Sequence, residues 1–384
     1  MKIYYFNHSQ MEVIVRKVID QCNYLIESGL DAHLFLVEPR EFEIPNKDFI
    51  SIIKLSDLNH NPWKNVLLRL KRQYELRKAF LNTINSASSS DIVYVRYPCP
   101  LFYLIWPFSI QKRMCKIINE HNTIEHQEYR LKGASFTYFI DFLMGNLMRR
   151  KADGIIGVTN EITTYEIRRS GNDDKPNITI GNGIDVSKVK IRKPPIFDGK
   201  KLDLLCVANV SRWHGIDRLL EGLAIYKGNT KVRFFLVGDG QDLPNLKLMV
   251  KKIGVDKNVI ITGDLKGSAL DDLFETSHIA VGSLGLHRMN MKEGSILKAR
   301  EYCARGIPFL YGCSDPDFPD DFPYVQKVPG DESAINVEEV IRFAEKVYSD
   351  PEHHIKMRAY AEENLDWPVK MKKLKEFCET LIDG

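Results

Sequence analysis

Two glutamates, Glu293 and Glu301, stand eight residues apart in the stretch EGSILKAREYCARGIPF (293–309). Ser295 is a favourable N-cap, residues 296–305 have helical composition, Gly306 suits the C-terminal cap and Pro308 stops the helix. The amides of Gly294 to Leu297 are then expected to be unpaired, and with the helix dipole they form an anion site. Glu301 would sit about 9 Å along the axis from the cap at 1.5 Å per residue. A diphosphate on the amides, with hydroxyl groups held by carboxylates on either side, describes a sugar nucleotide. Lys298 falls in the first helical turn, where a cation opposes the dipole, and a bound anion would offset that. The competing reading is a surface helix with solvated acidic residues, so the rest of the chain must decide.

The chain of 384 residues suits two cores better than one. Its 54 basic and 51 acidic residues leave a formal charge of +3, too balanced to argue for nucleic acid. The charge is uneven, however. Residues 62–78, PWKNVLLRLKRQYELRK, carry six basic residues against one Glu, with apolar residues interleaved at helical spacing. Seven cysteines (Cys22, Cys99, Cys115, Cys206, Cys303, Cys313, Cys378) form no CxxC pair and no cluster with His, the usage of reduced thiols in a cytosolic protein. No apolar run approaches the length of a membrane span, and the N-terminus has no signal-peptide core. A cytoplasmic location follows as the expectation, with membrane contact confined to the surface, at the inner face.

The elements that must position these groups alternate in the manner of doubly wound α/β sheets. Strands are expected at 2–6, 32–37, 91–96, 116–120 and 154–158, with helices at 11–28, 63–82 and 134–151. A second set of strands is expected at 202–208, 232–238, 258–263, 278–282 and 308–312. Between them, GNGIDVSKVKIRKPPIFDGKK (181–201) replaces apolar periodicity with Gly, Pro and charge, which marks a hinge. The expected division is 1–183, 184–366 and a final amphipathic helix in 367–384 that returns to the first domain. Helix 134–151, with Phe136, Phe139, Phe142, Leu143 and Leu147, reads as core. Neither half carries GxGxxG after a strand; Asn7, His8, Ser9 and Gln10 follow the first one, which argues against a dinucleotide dehydrogenase.

Taken in order, NGID (182–185), VANVSRWHGIDRLLEGL (207–223), FLVGDG (235–240), VIITG (259–263) and EGSILKAREYCARGIPF (293–309) resemble retaining glycosyltransferases of family 4. The resemblance covers the second half by motif and the first half by architecture. It implies the GT-B fold, an α/β arrangement of two Rossmann-like doubly wound parallel-sheet domains facing across a cleft. It implies that Glu301 holds ribose hydroxyls and that Glu293 faces the donor sugar. Amides at Gly294, Ser295 and Leu297 would bind sugar hydroxyls and phosphate oxygens, and the chain at Asp264 and Leu265 would meet the base. No metal and no cofactor are expected, since a helix N-terminus with basic side chains can stabilise a diphosphate leaving group.

The departures from that family also carry information. Where many members place an Arg and a Lys five positions apart as diphosphate clamps, this chain has Asn209 and His214. Arg212 lies between them, and His214 would donate to phosphate as neutral or protonated imidazole. Arg288, in GLHRMNMKE (285–293), and Lys298 are further donor-phosphate candidates. In the first half, Glu120-His121-Asn122 follows a strand at the edge where open α/β sheets bind ligands, and family members often place a His there beside the reacting sugar. His121 is therefore the catalytic-centre candidate of that domain, against the alternative that it orders the loop. Arg96, ending strand 91–96, points to the same edge.

The resemblance implies transfer of a sugar from a nucleotide diphosphate sugar to a hydroxyl of a glycan or lipid-linked acceptor, with retention of configuration, in bacterial surface polysaccharide biosynthesis. A sugar-nucleotide epimerase of the same fold would instead release an isomer without any acceptor. A non-catalytic sugar-nucleotide or glycan-binding protein that kept the fold would be expected to lose the Glu pair or the phosphate helix, and both are present. The basic stretch 62–82 reads either as a peripheral contact with an anionic membrane or as a solvated helix on its own domain.

Overall fold

The computed structural model describes residues 1–38, 44–56, 62–97, 113–131 and 133–384. Cys99 and, within the basic stretch, the side chains of residues 62–67, 69, 70 and 73 lie outside the described residues. The chain divides into two compact units, 1–181 with 367–384, and 182–366.

The first unit is a seven-stranded parallel sheet: β1 (Lys2–Asn7), β2 (Asp31–Val37), β3 (Ile50–Ile53), β4 (Ile92–Arg96), β5 (Lys116–His121), β6 (Gly154–Gly157) and β7 (Asn177–Thr179), in the order β3-β2-β1-β4-β5-β6-β7. Alternation along the strands separates two cores. Ile3, Tyr5, Ile92 and Tyr94 point to one face, where they meet helix α1 (Glu12–Glu27) and the C-terminal α12 (Trp367–Asp383) through Val15, Cys22, Trp367, Met371 and Cys378. Phe6, Val93 and Val95 point to the other, packed by Phe80 and Ile84 of α2 (Pro62–Ser86) and Met148 of α4 (Ser135–Lys151). Two short helices complete the set, α3 (Glu125–Leu131) and α5 (Asn160–Ser170). The edge strands β3 and β7 have four and three residues, too short to leave a period-2 signature in the sequence.

Helix α4 departs from the expectation of a core helix. Phe136, Phe139, Phe142 and Leu143 are 54–64 % exposed, and only its other side, Ile140, Gly145 and Met148, is buried. Apolar residues at i, i+3 and i+6 mark one face of a helix without saying whether that face is covered. All six described cysteines are buried and unpaired.

The second unit is a six-stranded parallel sheet of β8 (Lys201–Val207), β9 (Lys231–Val237), β10 (Val259–Gly263), β11 (Ile279–Val281), β12 (Phe309–Tyr311) and β13 (Val325–Lys327), ordered β10-β9-β8-β11-β12-β13. Its helices are α6 (Ile216–Ile225), α7 (Leu243–Ile253), α8 (Ser268–Thr276), α9 (Leu297–Arg305), α10 (Val337–Tyr348) and α11 (His353–Asn364). Leu202 to Cys206 are buried without interruption, as expected for a central parallel strand covered on both faces. Strand order reverses between β8 and β11, so their C-terminal ends form the topological switch point where such sheets bind ligands. Among the described residues, no helix is long and apolar enough to cross a membrane.

Candidate functional site

Helix α9 begins at the C-terminal edge of the second sheet and is pinned there by its own residues. Tyr302 Oη accepts the Val207 amide at the end of β8 and donates to the carbonyl of Val281 at the end of β11, both at 3.3 Å. At the far end Gly306 adopts φ +77°, and its amide bonds to Cys303 O at 2.9 Å, the expected C-terminal cap.

The helix start is one residue later than the sequence suggests. The N-cap is Ile296, and the Ser295 hydroxyl caps nothing. It accepts instead from the amide of Asn182 (2.7 Å) and from the Arg300 guanidinium (2.8 Å). Asn182 Nδ2 also donates to the Ser295 carbonyl at 2.6 Å, so the NGID motif holds the loop before α9. Arg300 is fully buried and bonds both Asp315 and Asp317 as well as the Asn182 carbonyl. A hydroxyl gripped by a buried guanidinium and a neighbouring amide cannot also turn back to cap its own helix.

A second correction concerns Gly294. Its amide donates to Ser314 O at 2.8 Å, and the Ser314 amide returns a 2.9 Å bond to Lys292 O, so Glu293 and Ser314 form an isolated parallel bridge. Gly294 therefore has no amide left for a phosphate. Among the described residues, the amides of Ser295, Ile296 and Leu297 donate to no backbone or side-chain acceptor. The open donors are thus those at the start of α9.

Lys298 lies in that turn, half-buried, with Nζ 3.9 Å from Cys206 Sγ and no carboxylate partner among the described residues. Burial pushes its pKa down. His214, 8 % exposed, ends the 3-10 turn Arg212–His214, and its Nδ1 accepts the Ser211 amide at 3.0 Å. Burial first, and then the charge of Lys298, hold its pKa well below the ordinary value. The ring is consequently neutral with its proton on Nε2, so of the two expected forms the protonated one is disfavoured. His214, Lys298 and the open amides thus share one locality, whereas Arg212 is exposed to solvent.

Arg288 is committed elsewhere in the unit. It bonds Asp217 (2.7 and 2.9 Å), Glu332 (2.5 to 3.2 Å) and the Arg212 carbonyl (2.8 Å), leaving its charge matched by two carboxylates. Glu301 is half-buried and accepts from Arg305 Nε at 2.9 Å. Asp264 is exposed and Leu265 half-buried, directly after β10, whose last residue Gly263 accepts the Gly238 amide at 2.8 Å.

In the first unit, His121 is the last residue of β5 rather than part of the following loop, and it is wholly buried. Its ring stacks on Tyr97 at 4.5 Å, and Nδ1 lies 3.0 Å from Glu125 Oε2 and 3.5 Å from Glu166 Oε2, while Nε2 has no partner. Burial lowers its pKa to about 4 and raises that of Glu125 to about 8. Both groups are then neutral at pH 7, with Glu125 donating to Nδ1. His121, Glu125 and Glu166 offer three ligand atoms within 4.8 Å of one another, the geometry of a metal cluster. Arg149 already bonds Glu166 and lies 3.4 Å from Glu125, so a dication there would meet a cation in place. Sequence reasoning missed Glu166, Arg149 and Tyr97 because they lie far from His121 along the chain. It missed Tyr302 and Ser314 because neither type advertises a backbone contact.

Residues 187–363 match the family model of glycosyl transferases group 1. An uncharacterized glycosyltransferase of Methanocaldococcus jannaschii is 21% identical over 260 residues, 64% of this chain and 63% of that protein's own length. Among solved structures, the apo lipopolysaccharide outer core galactosyltransferase WaaB superposes with a TM-score of 0.65 at 15% identity, covering 99% of both chains. Sucrose-phosphate synthase of Thermosynechococcus elongatus gives 0.68 at 14% identity, covering 100% of this chain and 99% of that one. Anabaena HepE, solved in complex with UDP-glucose, gives 0.65 at 13% identity, covering 99% of this chain and 100% of that one. The two parallel-sheet Rossmann-like units match GT-B glycosyltransferase structures.

Proposed function

We propose, on the support that the family match and the structural neighbours give to the glycosyltransferase group 1 family, that this chain transfers a sugar from a nucleotide diphosphate sugar to an acceptor hydroxyl, as a member of family 4. The observation that carries this reading is Lys298: a half-buried cation with no carboxylate partner among the described residues, in the first turn of a helix whose leading amides are open. A lysine is unfavourable there in an empty protein and favourable beside a diphosphate.

In this reading the diphosphate rests on the Ser295 to Leu297 amides, with Lys298 and the Nε2–H of His214 adding donors. Glu301 takes the ribose hydroxyls, Glu293 the donor-sugar hydroxyls, and the chain at Asp264 and Leu265 the base. The sugar's C1–O bond to phosphate breaks as a C1–O bond to the acceptor forms on the same face. The acceptor proton passes to the departing phosphate oxygen, so configuration is retained. The amides and Lys298 stabilise the charge that develops on that oxygen without a metal. The acceptor is a glycan or lipid-linked glycan of a bacterial surface polysaccharide, bound by the first unit near His121. Exposed Phe136, Phe139 and Phe142 of α4 support a peripheral membrane contact.

A thermal-shift series with UDP-, GDP-, ADP- and CDP-sugars tests the donor assignment, because specific binding raises stability with occupancy. A shift with one base, followed by sugar transfer in the presence of acceptor glycans, is the expected result. The absence of any shift across the series would remove the reading.

A further inference from the structure

At the C-terminal edge of the first sheet one half-buried arginine is incompletely bonded. Arg96 ends β4, beside Phe6 of β1 through the Phe6↔Val95 register and paired in register with Glu120 of β5. Its guanidinium has no ion pair among the described residues, and its Nη1 is buried without an acceptor. The arginines that are buried outright, unlike half-buried Arg96, are partnered. Arg149 and Arg300 are met by carboxylates, and Arg218 and Arg192 by backbone carbonyls. A buried donor left without an acceptor is costly, so the open Nη1 points to a partner that arrives from outside.

The neighbours do not supply that partner. Glu120 is close enough for Arg96 to lower its pKa, but its oxygens are already taken by Lys17 Nζ (3.1 Å) and Tyr5 Oη (2.8 Å). Lys17 also donates to Asn122 Oδ1 at 2.8 Å. Lys17 and Arg96 thus both lie close to Glu120, whose oxygens Lys17 and Tyr5 occupy. Across β1, Asn7 and Ser9 close a turn on each other, with Asn7 Nδ2 donating to Ser9 O at 3.1 Å and the Ser9 amide to Asn7 Oδ1 at 3.3 Å. That turn presents the exposed His8. Among the described residues, no carboxylate pairs with Arg96 from this side.

We infer that Arg96, between the Asn7–Ser9 turn and the Lys17–Glu120 pair, binds an oxyanion carried by the acceptor. A uronic-acid carboxylate or a phosphate ester would each fill the vacant donor, since guanidinium takes either as a planar fork. The word acceptor rests on the glycosyl-transfer reading; the anion site itself does not. The anion would meet the open Nη1 at the sheet edge where α/β folds receive ligands.

Calorimetric titration of the full chain with glucuronate, methyl phosphate and neutral glucose tests this, using the wild type, Arg96→Gln and Arg96→Lys. Circular dichroism and melting establish that each variant is folded, and Arg96→Lys serves if the Gln variant is not. At least one anion is expected to bind the wild type, at least tenfold more weakly to Arg96→Gln and with intermediate affinity to Arg96→Lys, while glucose does not bind. Glucuronate alone would assign a carboxylate-bearing sugar, and methyl phosphate alone a phosphate ester. The difference between wild type and variant separates this site from the helix start of the second unit. Equal affinity in wild type and Arg96→Gln, or no binding of either anion, overturns the inference. Nucleotide binding, measured in the same samples, reports on the other reading: its loss with Arg96-dependent anion binding intact would sink glycosyl transfer and leave this site standing.

Discussion

The Tyr302 hydroxyl and the Val207 amide are joined by a 3.3 Å hydrogen bond that ties helix α9 to the end of strand β8. One side chain thereby sets where the open helix start lies relative to the switch point of the sheet. Tyr302 is fully buried, and the same hydroxyl serves Val281.

Tyr302→Phe keeps the ring packing and removes only that hydroxyl. The Val207 N–H and Val281 C=O are left without it, so stability should fall by about 1–3 kcal/mol. Urea denaturation reads the loss, and nucleotide affinity should decline with it. Unchanged affinity in a destabilised variant would mean that α9 needs no such anchor.

Lys298→Met preserves length and apolar packing while deleting the charge. Nucleoside diphosphate affinity is expected to drop at least tenfold, about 1.4 kcal/mol, with the melting temperature of the ligand-free protein unchanged or higher. A variant that binds nucleotide as tightly as the wild type would contradict a phosphate role for this lysine.

The two glutamates should separate kinetically. Glu301→Ala is expected to weaken nucleotide binding, and Arg305 would still have Asp271 at 2.7 Å to hold it. Glu293→Gln should chiefly lower kcat with little change in KM for the donor. Full activity in both variants would withdraw the assignment of either residue.

Arg300→Met would strand Asp315 and Asp317, both of which it bonds, and release Ser295 and Asn182. Breaking one side of a buried ion pair costs about 3–5 kcal/mol. Chemical denaturation should register a loss of that order, and a change below about 1 kcal/mol would indicate that water replaces the guanidinium.

The His121–Glu125 pair predicts a pH dependence of stability. In the folded protein burial raises Glu125 to about 8, above its ordinary 4.5, and lowers His121 to about 4, below 6.5. Between pH 4.5 and 6.5 the two oppose, because the folded state holds the Glu125 proton while the unfolded state holds a proton on His121. From about 6.5 to about 8 only Glu125 differs, and the folded state binds more protons than the unfolded one. Stability should therefore fall as pH rises through that window, by at most about 1.4 kcal/mol per unit. Glu125→Gln should flatten the melting temperature across it; a wild-type profile already flat there would place the pair's proton elsewhere.

Much of the fold was legible because central strands and long helices write their environment into local order. The run Leu202 to Cys206 and the alternation of Ile3, Tyr5, Ile92 and Tyr94 against Phe6, Val93 and Val95 are examples. Residue order likewise identified the helix with its glycine cap at Gly306, since capping is a contact between near neighbours. Short edge strands such as β3 and β13 left no period to read. Tertiary structure alone decided how hydrogen-bonding capacity was spent: Ser295 went to Asn182 and Arg300, the Gly294 amide to Ser314, and Arg288 to Asp217 and Glu332. It also left the aromatic row of α4 exposed and Arg96 Nη1 without an acceptor among the described residues. A sequence specifies which groups can donate, accept or carry charge; which of them remain open depends on partners brought together from distant segments by folding.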